Sequence, residues 1–282
     1  MKFDIELFKA TGSLEGDEAR TAFAAALRLP INEEIAKRNL ARTIFMVDNI
    51  GPGANATYPI DIPEISAYIL PRIGAAPQNL VAVEELNVPT FEVTSSVEWK
   101  LRLAREGRIN IIERKALSLR NSIVKLENQC AWQMVNAAVT ADNTVEGAND
   151  GKLTKSALNA GFQHMESMDG YKVDLILVSA RKAGDIREWG ANDLDPVTMR
   201  EVWRGAGLGN IWGADILVTN EIGDDAVYFF DTSKFGVMPI KHEFITYDDP
   251  TAIRQFRQRV LGFEEIGFAV FDAKAVVKVT LK

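Results

Sequence analysis

An α+β fold is what this chain predicts, on three patterns in its 282 residues. Side chains alternate apolar and polar from Phe91 to Leu103. Apolar residues then recur every three or four positions from Arg108 to Thr140. Seven of the ten prolines fall before residue 90, and none lies between 89 and 196. A period of two marks a strand with one buried face, and a period near 3.6 marks a helix with one buried stripe. With 47% hydrophobic and 25% charged residues the composition is that of a globular protein, neither disordered nor fibrous. The length allows one large domain or two modest ones.

Taken in order, the first forty residues carry Gly12, Gly16 and scattered charge around one amphipathic stretch, Asp17 to Leu29, closed by Pro30. They read as an arm more than as core. Strand-like runs follow at Thr43–Val47 and Thr57–Ile62, separated by Gly51-Pro52-Gly53, which predicts a hairpin. The proline-punctuated segment to Pro89 is too long for an ordinary loop and predicts an element projecting from the body. Next comes the alternating run, with Phe91, Val93, Val97, Trp99, Leu101 and Leu103 on one side and charge on the other. Its 13 residues would extend about 43 Å. Beyond Gly107 the row Ile112, Ala116, Leu119, Ile123, Leu126, Cys130 and Met134 predicts a helix of about 30 residues, roughly 45 Å long. Asn110 and Glu113 stand in capping-box positions at its start.

Residues 141–151 are a loop by composition and a candidate boundary. A small mixed unit follows, with strands at Val173–Ser179 and Asp215–Thr219 and helices near Ala183–Trp189 and Val197–Arg204. Strands at Ala226–Asp231 and Gly236–Tyr247 come next. A helix at Thr251–Val260 is then expected, with Asp249 as N-cap and Pro250 in the first turn. Two closing strands, Gly267–Phe271 and Ala275–Leu281, end the chain.

Composition and motifs argue against the usual chemistries. The net charge of -7 and a pI near 5.1 disfavour a dedicated nucleic-acid binder. The lone Cys130 fits a reducing cytosol and reads as a small buried residue. No apolar run reaches the length of a membrane span, and no secretory signal opens the sequence. The expectation is therefore an intracellular origin, in which the sequon at Asn55-Ala56-Thr57 has no consequence. His164 and His242 lie far apart and no Cys-x-x-Cys occurs, so a zinc site is unsupported. Gly205-Ala206-Gly207-Leu208-Gly209-Asn210 lacks the Lys-Ser/Thr ending of a phosphate loop and is read as a plain loop. The acidic pairs, Asp248-Asp249 and Glu264-Glu265 among them, are read as solvated faces and turns. A paired-carboxylate hydrolase stays open, because partners meet only in the fold. From Lys100 to Lys125 eight basic residues oppose two acidic ones, a local +6. Cross-subunit ion pairing is the preferred reading of that stripe, and contact with a packaged polyanion is the alternative.

The element order is arm, projecting hairpin, long strand, long helix, small α/β unit and terminal strands. It resembles the major capsid proteins of tailed bacteriophages with the Hong Kong 97-type fold. The closing stretch carries the resemblance further. Trp212-Gly213-Ala214-Asp215-Ile216-Leu217-Val218 is followed by Val227-Tyr228-Phe229-Phe230-Asp231, then Phe256-Arg257-Gln258-Arg259 and Gly267-Phe268-Ala269-Val270-Phe271. These look like that family's strand after a glycine, its Phe-Asp strand, its Arg-bearing helix and its final Gly-x-Ala-Val strand.

The resemblance implies an N-terminal arm over 1–41, an extended loop over 42–107 and a spine helix of a peripheral domain over 108–140. It further implies an axial domain over 141–225 and return strands over 226–282. It implies no enzyme, no cofactor and no metal. The expected role is a self-assembling shell of hexamers and pentamers around double-stranded DNA, made in the host cytoplasm and carried in the virion. Scaffolding, portal and decoration proteins are the further partners implied, and no membrane. Since no long helical extension precedes the arm, scaffolding, if the shell needs it, is expected from a separate protein or from a propeptide since removed. The hypothesised assembly contacts are Phe91, Val93, Val97, Trp99, Arg102 and Arg105. A long one-sided strand exposes apolar surface unless a neighbour covers it, so a charge at Trp99 is expected to impair assembly more than folding. An encapsulin-like nanocompartment is the alternative within the fold, and an α/β enzyme with an unrecognised site is the alternative outside it.

Overall fold

The run of alternating residues does form a strand, and the row of apolar residues after it does form a helix. A computed structural model describes residues 39–61, 83–100, 102, 109–147, 151–189, 209–249 and 256–281. The expected helices at Asp17–Leu29 and Val197–Arg204, most of the Gly205–Asn210 loop and the strand-to-helix junction at Leu103–Arg108 lie outside those residues.

Described strands are β1 (Met46–Asn49), β2 (Thr57–Asp61), β3 (Val83–Asn87), β4 (Thr90–Lys100) and β5 (Thr144–Glu146). They continue as β6 (Leu175–Val178), β7 (Asn210–Ile211), β8 (Ala214–Val218), β9 (Ala226–Phe230) and β10 (Gly236–Asp248). The last three are β11 (Arg257–Gly267), β12 (Ala269–Val270) and β13 (Val276–Thr280). Helices are α1 (Ala41–Ile44), α2 (Ile109–Ala138), α3 (Lys155–Glu166), α4 (Ala180–Arg187) and α5 (Thr232–Phe235).

The first sheet has the order β1-β10-β11-β4, with β12 also on β10. Its inner face lies under α2, a 30-residue helix, about 45 Å long. Leu119 and Ile123 share one core there with Val93, Val97, Trp99, Phe244 and Val260. A second sheet runs β5-β13-β9-β6-β8-β7. Strand β9, Ala-Val-Tyr-Phe-Phe, is buried at every residue, the continuous apolar run expected of a strand covered on both faces. Tyr228 and Phe230 face the first core, and Val227 and Phe229 face a second one built on α3. Gly161 of α3 permits that packing, because a Cβ there would lie 2.4 Å from the Phe229 ring. Thr154 and Ser179 cap α3 and α4 through their hydroxyl oxygens. The tight turn between β7 and β8 puts both Trp212 (φ 52) and Gly213 (φ 90) at positive φ, as a two-residue hairpin of primed type requires.

Four expectations are corrected. Thr43 and Ile44 belong to α1, not to a strand, and β1 pairs in parallel with β10 instead of forming a hairpin with β2. The Gly51-Pro52-Gly53 turn is present, but β2 pairs with β3, since turn chemistry fixes a local bend and not a distant partner. The Arg-bearing segment is strand: Arg257, Gln258, Arg259 and Val260 pair residue by residue with Lys100, Trp99, Glu98 and Val97. Residues 250–255 of the expected Thr251–Val260 helix lie outside the described residues, and Asp249 itself is tied to the strand: its backbone N–H donates to the Arg259 carbonyl at 3.0 Å and its carboxylate accepts from Arg259 Nη1 at 3.2 Å. Finally, the buried row of α2 passes from Leu119 and Ile123 to Glu127, Ala131, Val135 and Ala138, leaving Leu126 exposed and Cys130 and Met134 half-buried.

Candidate assembly interface

The ribbon β2–β3 pairs with no other described strand, and a lone two-stranded ribbon is marginal in water. Its root is tied to the body. Tyr58 donates to Asp48 Oδ2 at 2.7 Å and its ring meets Phe271 at 5.7 Å, while the Val88 N–H donates to the Ala56 carbonyl at 2.8 Å. Burial and the Asp48 carboxylate push the Tyr58 phenol above its ordinary range. Beside the root lies an apolar cavity of about 500 Å³ lined by Leu86, Val88, Phe91, Cys130, Met134 and Phe268. Burial, and then the Glu127 charge, push the Cys130 thiol up, which makes it a poor nucleophile.

Of the six residues expected at subunit contacts, the structure leaves Phe91 (38% exposed) and Arg102 at the surface. Arg105 lies outside the described residues. Val93, Val97 and Trp99 are instead buried in the subunit's own core, where α2 covers them. The helix already supplies the partner that the strand pattern was expected to seek in a neighbour. Hence a charge at Trp99 would disturb folding first, contrary to the expectation from sequence.

The outer face of the first sheet is charged and paired. Glu98 accepts from Arg257 at 2.7 Å and from Arg259 at 3.1 Å, and the Arg259 hydrogen bond, aided by Arg257, holds its carboxyl below the usual range. Thr90 donates to Glu265 at 2.6 Å, and Lys241 lies 3.5 Å from the same carboxylate. In the basic stripe Lys100, Lys115 and Lys125 are exposed, and Arg120 donates to Asn121 Oδ1 at 2.8 Å.

Sequence reasoning missed one cluster altogether. Glu264 was expected on a solvated face, yet its side chain, like that of Glu127, is fully buried. Strand alternation turns Glu264 in and Glu265 out. Arg42 of α1 donates to Glu127 Oε1 at 2.8 Å and lies 3.8 Å from Glu264 Oε2. One guanidinium thus faces two carboxyls. Burial and the neighbouring Glu127 charge raise Glu264 to about 9, and burial raises Glu127 as well against the opposing pull of Arg42, so the two carboxyls beside one guanidinium favour holding a proton between them. The pair has no access for a substrate, so it is no hydrolase site. No cluster of three or more metal-ligating side chains occurs among the described residues.

A long helix over a one-sided sheet and a two-stranded ribbon without a further strand partner among the described residues suit a shell-forming structural protein. A family model described as phage capsid protein matches residues 84–279, and the chain belongs to that family. Among solved structures the chain resembles Mycobacterium phage Bobi, at 14% identity and a TM-score of 0.64, over 86% of this chain and 90% of that one. Microbacterium phage Oxtober96 matches at 14% identity and 0.62, over 86% and 90%. A virus-like particle from Pyrococcus furiosus matches at 15% and 0.59, over 90% and 97%. These likenesses show the Hong Kong 97-type fold. No curated protein matches the chain.

Proposed function

We propose that copies of this chain form the hexameric and pentameric capsomers of an icosahedral shell that encloses a tailed phage's double-stranded DNA. The observation that carries this reading is the ribbon β2–β3, without a further strand partner among the described residues and rooted beside an open apolar cavity. A ribbon of that kind gains cover in a ring of identical subunits. Residues 1–41 then serve as arm, 42–107 as extended loop, 108–140 as spine and 141–225 as axial domain, with 226–282 returning through the peripheral domain. The pairing of β4 with β11 supports drawing the loop's base nearer to Pro89. Phe91 and Arg102 are the contact candidates that stay at the surface. The exposed lysines of the stripe suit cross-subunit ion pairs or loose contact with packaged DNA. Scaffolding, portal and decoration proteins are further partners, synthesis takes place in the host cytoplasm, and the role is structural without catalysis.

Electron microscopy of the purified protein tests the reading. Closed shells or capsomer rings are expected, and nucleic acid inside particles separates a genome shell from an enzyme-loaded compartment. A stable species of 31.2 kDa that never assembles would refute it.

A further inference from the structure

The strap from Asn39 to Ile44 follows residues 1–38 in the chain; Leu40, Ala41 and Ile44 seat it in the first core, and polar groups fasten it further. The Ala41 N–H is shared between Asn39 Oδ1 at 2.9 Å and Asn128 Oδ1 of α2 at 3.2 Å. One residue on, Arg42 reaches Glu127 on the same helix and Glu264 on β11. Strap, spine helix and sheet therefore meet at a single cationic group and two buried carboxyls. Arg42 and Glu127 are the charged groups acting on Glu264; β4 presents Val93 across from it, and on β10 the register breaks between His242 and Ile245, where Phe244 is buried and Glu243 is exposed.

We propose that Arg42, Glu127 and Glu264 form a proton-operated latch that fastens the strap, and with it the root of the N-terminal arm, to the spine helix. With one proton on the carboxyl pair, a single guanidinium balances a single carboxylate and the latch is closed. When the second carboxyl ionises, one cation faces two buried anions, and opening the strap lets water reach the surplus charge. The latch tightens on acidification. It loosens across the interval between the ordinary carboxylate range and the raised value in the closed state, and changes no further above that.

Hydrogen exchange on the full-length protein at about pH 6 and about pH 8, corrected for intrinsic rates, tests this on the Thr43, Ile44 and Phe45 amides, which donate to the Leu40 and Ala41 carbonyls of the strap. Strap protection in the natural sequence should fall at least about tenfold between the two conditions, while amides of β9 hold. In E264Q, which mimics the protonated carboxyl, strap protection should stay level. An equal fall in E264Q, a level strap in the natural sequence, or a parallel fall in β9 would overturn the latch. If E264Q does not fold, infrared spectroscopy of the natural protein decides. A buried protonated carboxyl stretch at about pH 7 that is lost above about pH 9 is required, and its absence would overturn the proposal. The readout is on the chain itself, so it stands apart from whether shells form.

Discussion

Glu264 gives the protein an unusual pH dependence. Its folded value of about 9 lies above that of an unfolded glutamate, so the folded chain holds the extra proton between the two. Its contribution to stability is complete below the ordinary carboxylate range and declines as pH rises toward about 9, by at most about 1.4 kcal/mol per unit. Denaturant midpoints should thus fall from about pH 5 to about pH 8, and a rising profile over that interval would contradict the assignment. Arg42→Met strands Glu127 as a buried charge and should cost about 3 kcal/mol or more, against much less in the double variant with Glu127→Gln. None of this was legible in the sequence. Glu264 stands beside Glu265 in what looks like an acidic surface pair, and Glu127 interrupts an apolar row that could equally be continued through Leu126 and Cys130.

At the scale of elements, β4 and α2 form a single packing unit. Trp99 is 4% exposed, and Trp99→Ala should destabilise the subunit by about 3–5 kcal/mol, read in urea unfolding. Gly161→Leu should separate α3 from β9 and lower the melting temperature, since the Phe229 ring has no room to retreat within a doubly covered strand; an unchanged melting temperature would disprove that close contact. The helix α2 and strands β4, β9 and β13 were legible because each carries a strong period or a continuous apolar run. Strand β11 was not. Its inward row of Gln258, Val260, Gly262, Glu264 and Ile266 holds two polar residues and a glycine, whereas Ile253, Phe256 and Val260 after Asp249-Pro250 mimic a capped helix. Pairing with β4 over eleven positions overrides that local preference.

For the whole molecule, assembly and folding should separate at Phe91. Phe91→Ser removes a half-exposed side chain from the cavity rim, so subunit stability should change by about 1 kcal/mol or less while the yield of capsomers falls. Equal yields by light scattering would remove Phe91 from the interface. The sequence by itself determined the α+β order of a long one-sided strand and a long helix, and the resemblance of that order to tailed-phage capsid proteins implied a shell: periodicity and element order depend on local residue patterns and survive any arrangement of partners. Only the tertiary structure decided which strands pair, which side of the spine helix is buried, and that three charged groups from Arg42, Glu127 and Glu264 meet out of water. Those outcomes depend on contacts between residues up to 222 positions apart, and no local pattern encodes the low-dielectric surroundings that give such a meeting its energy.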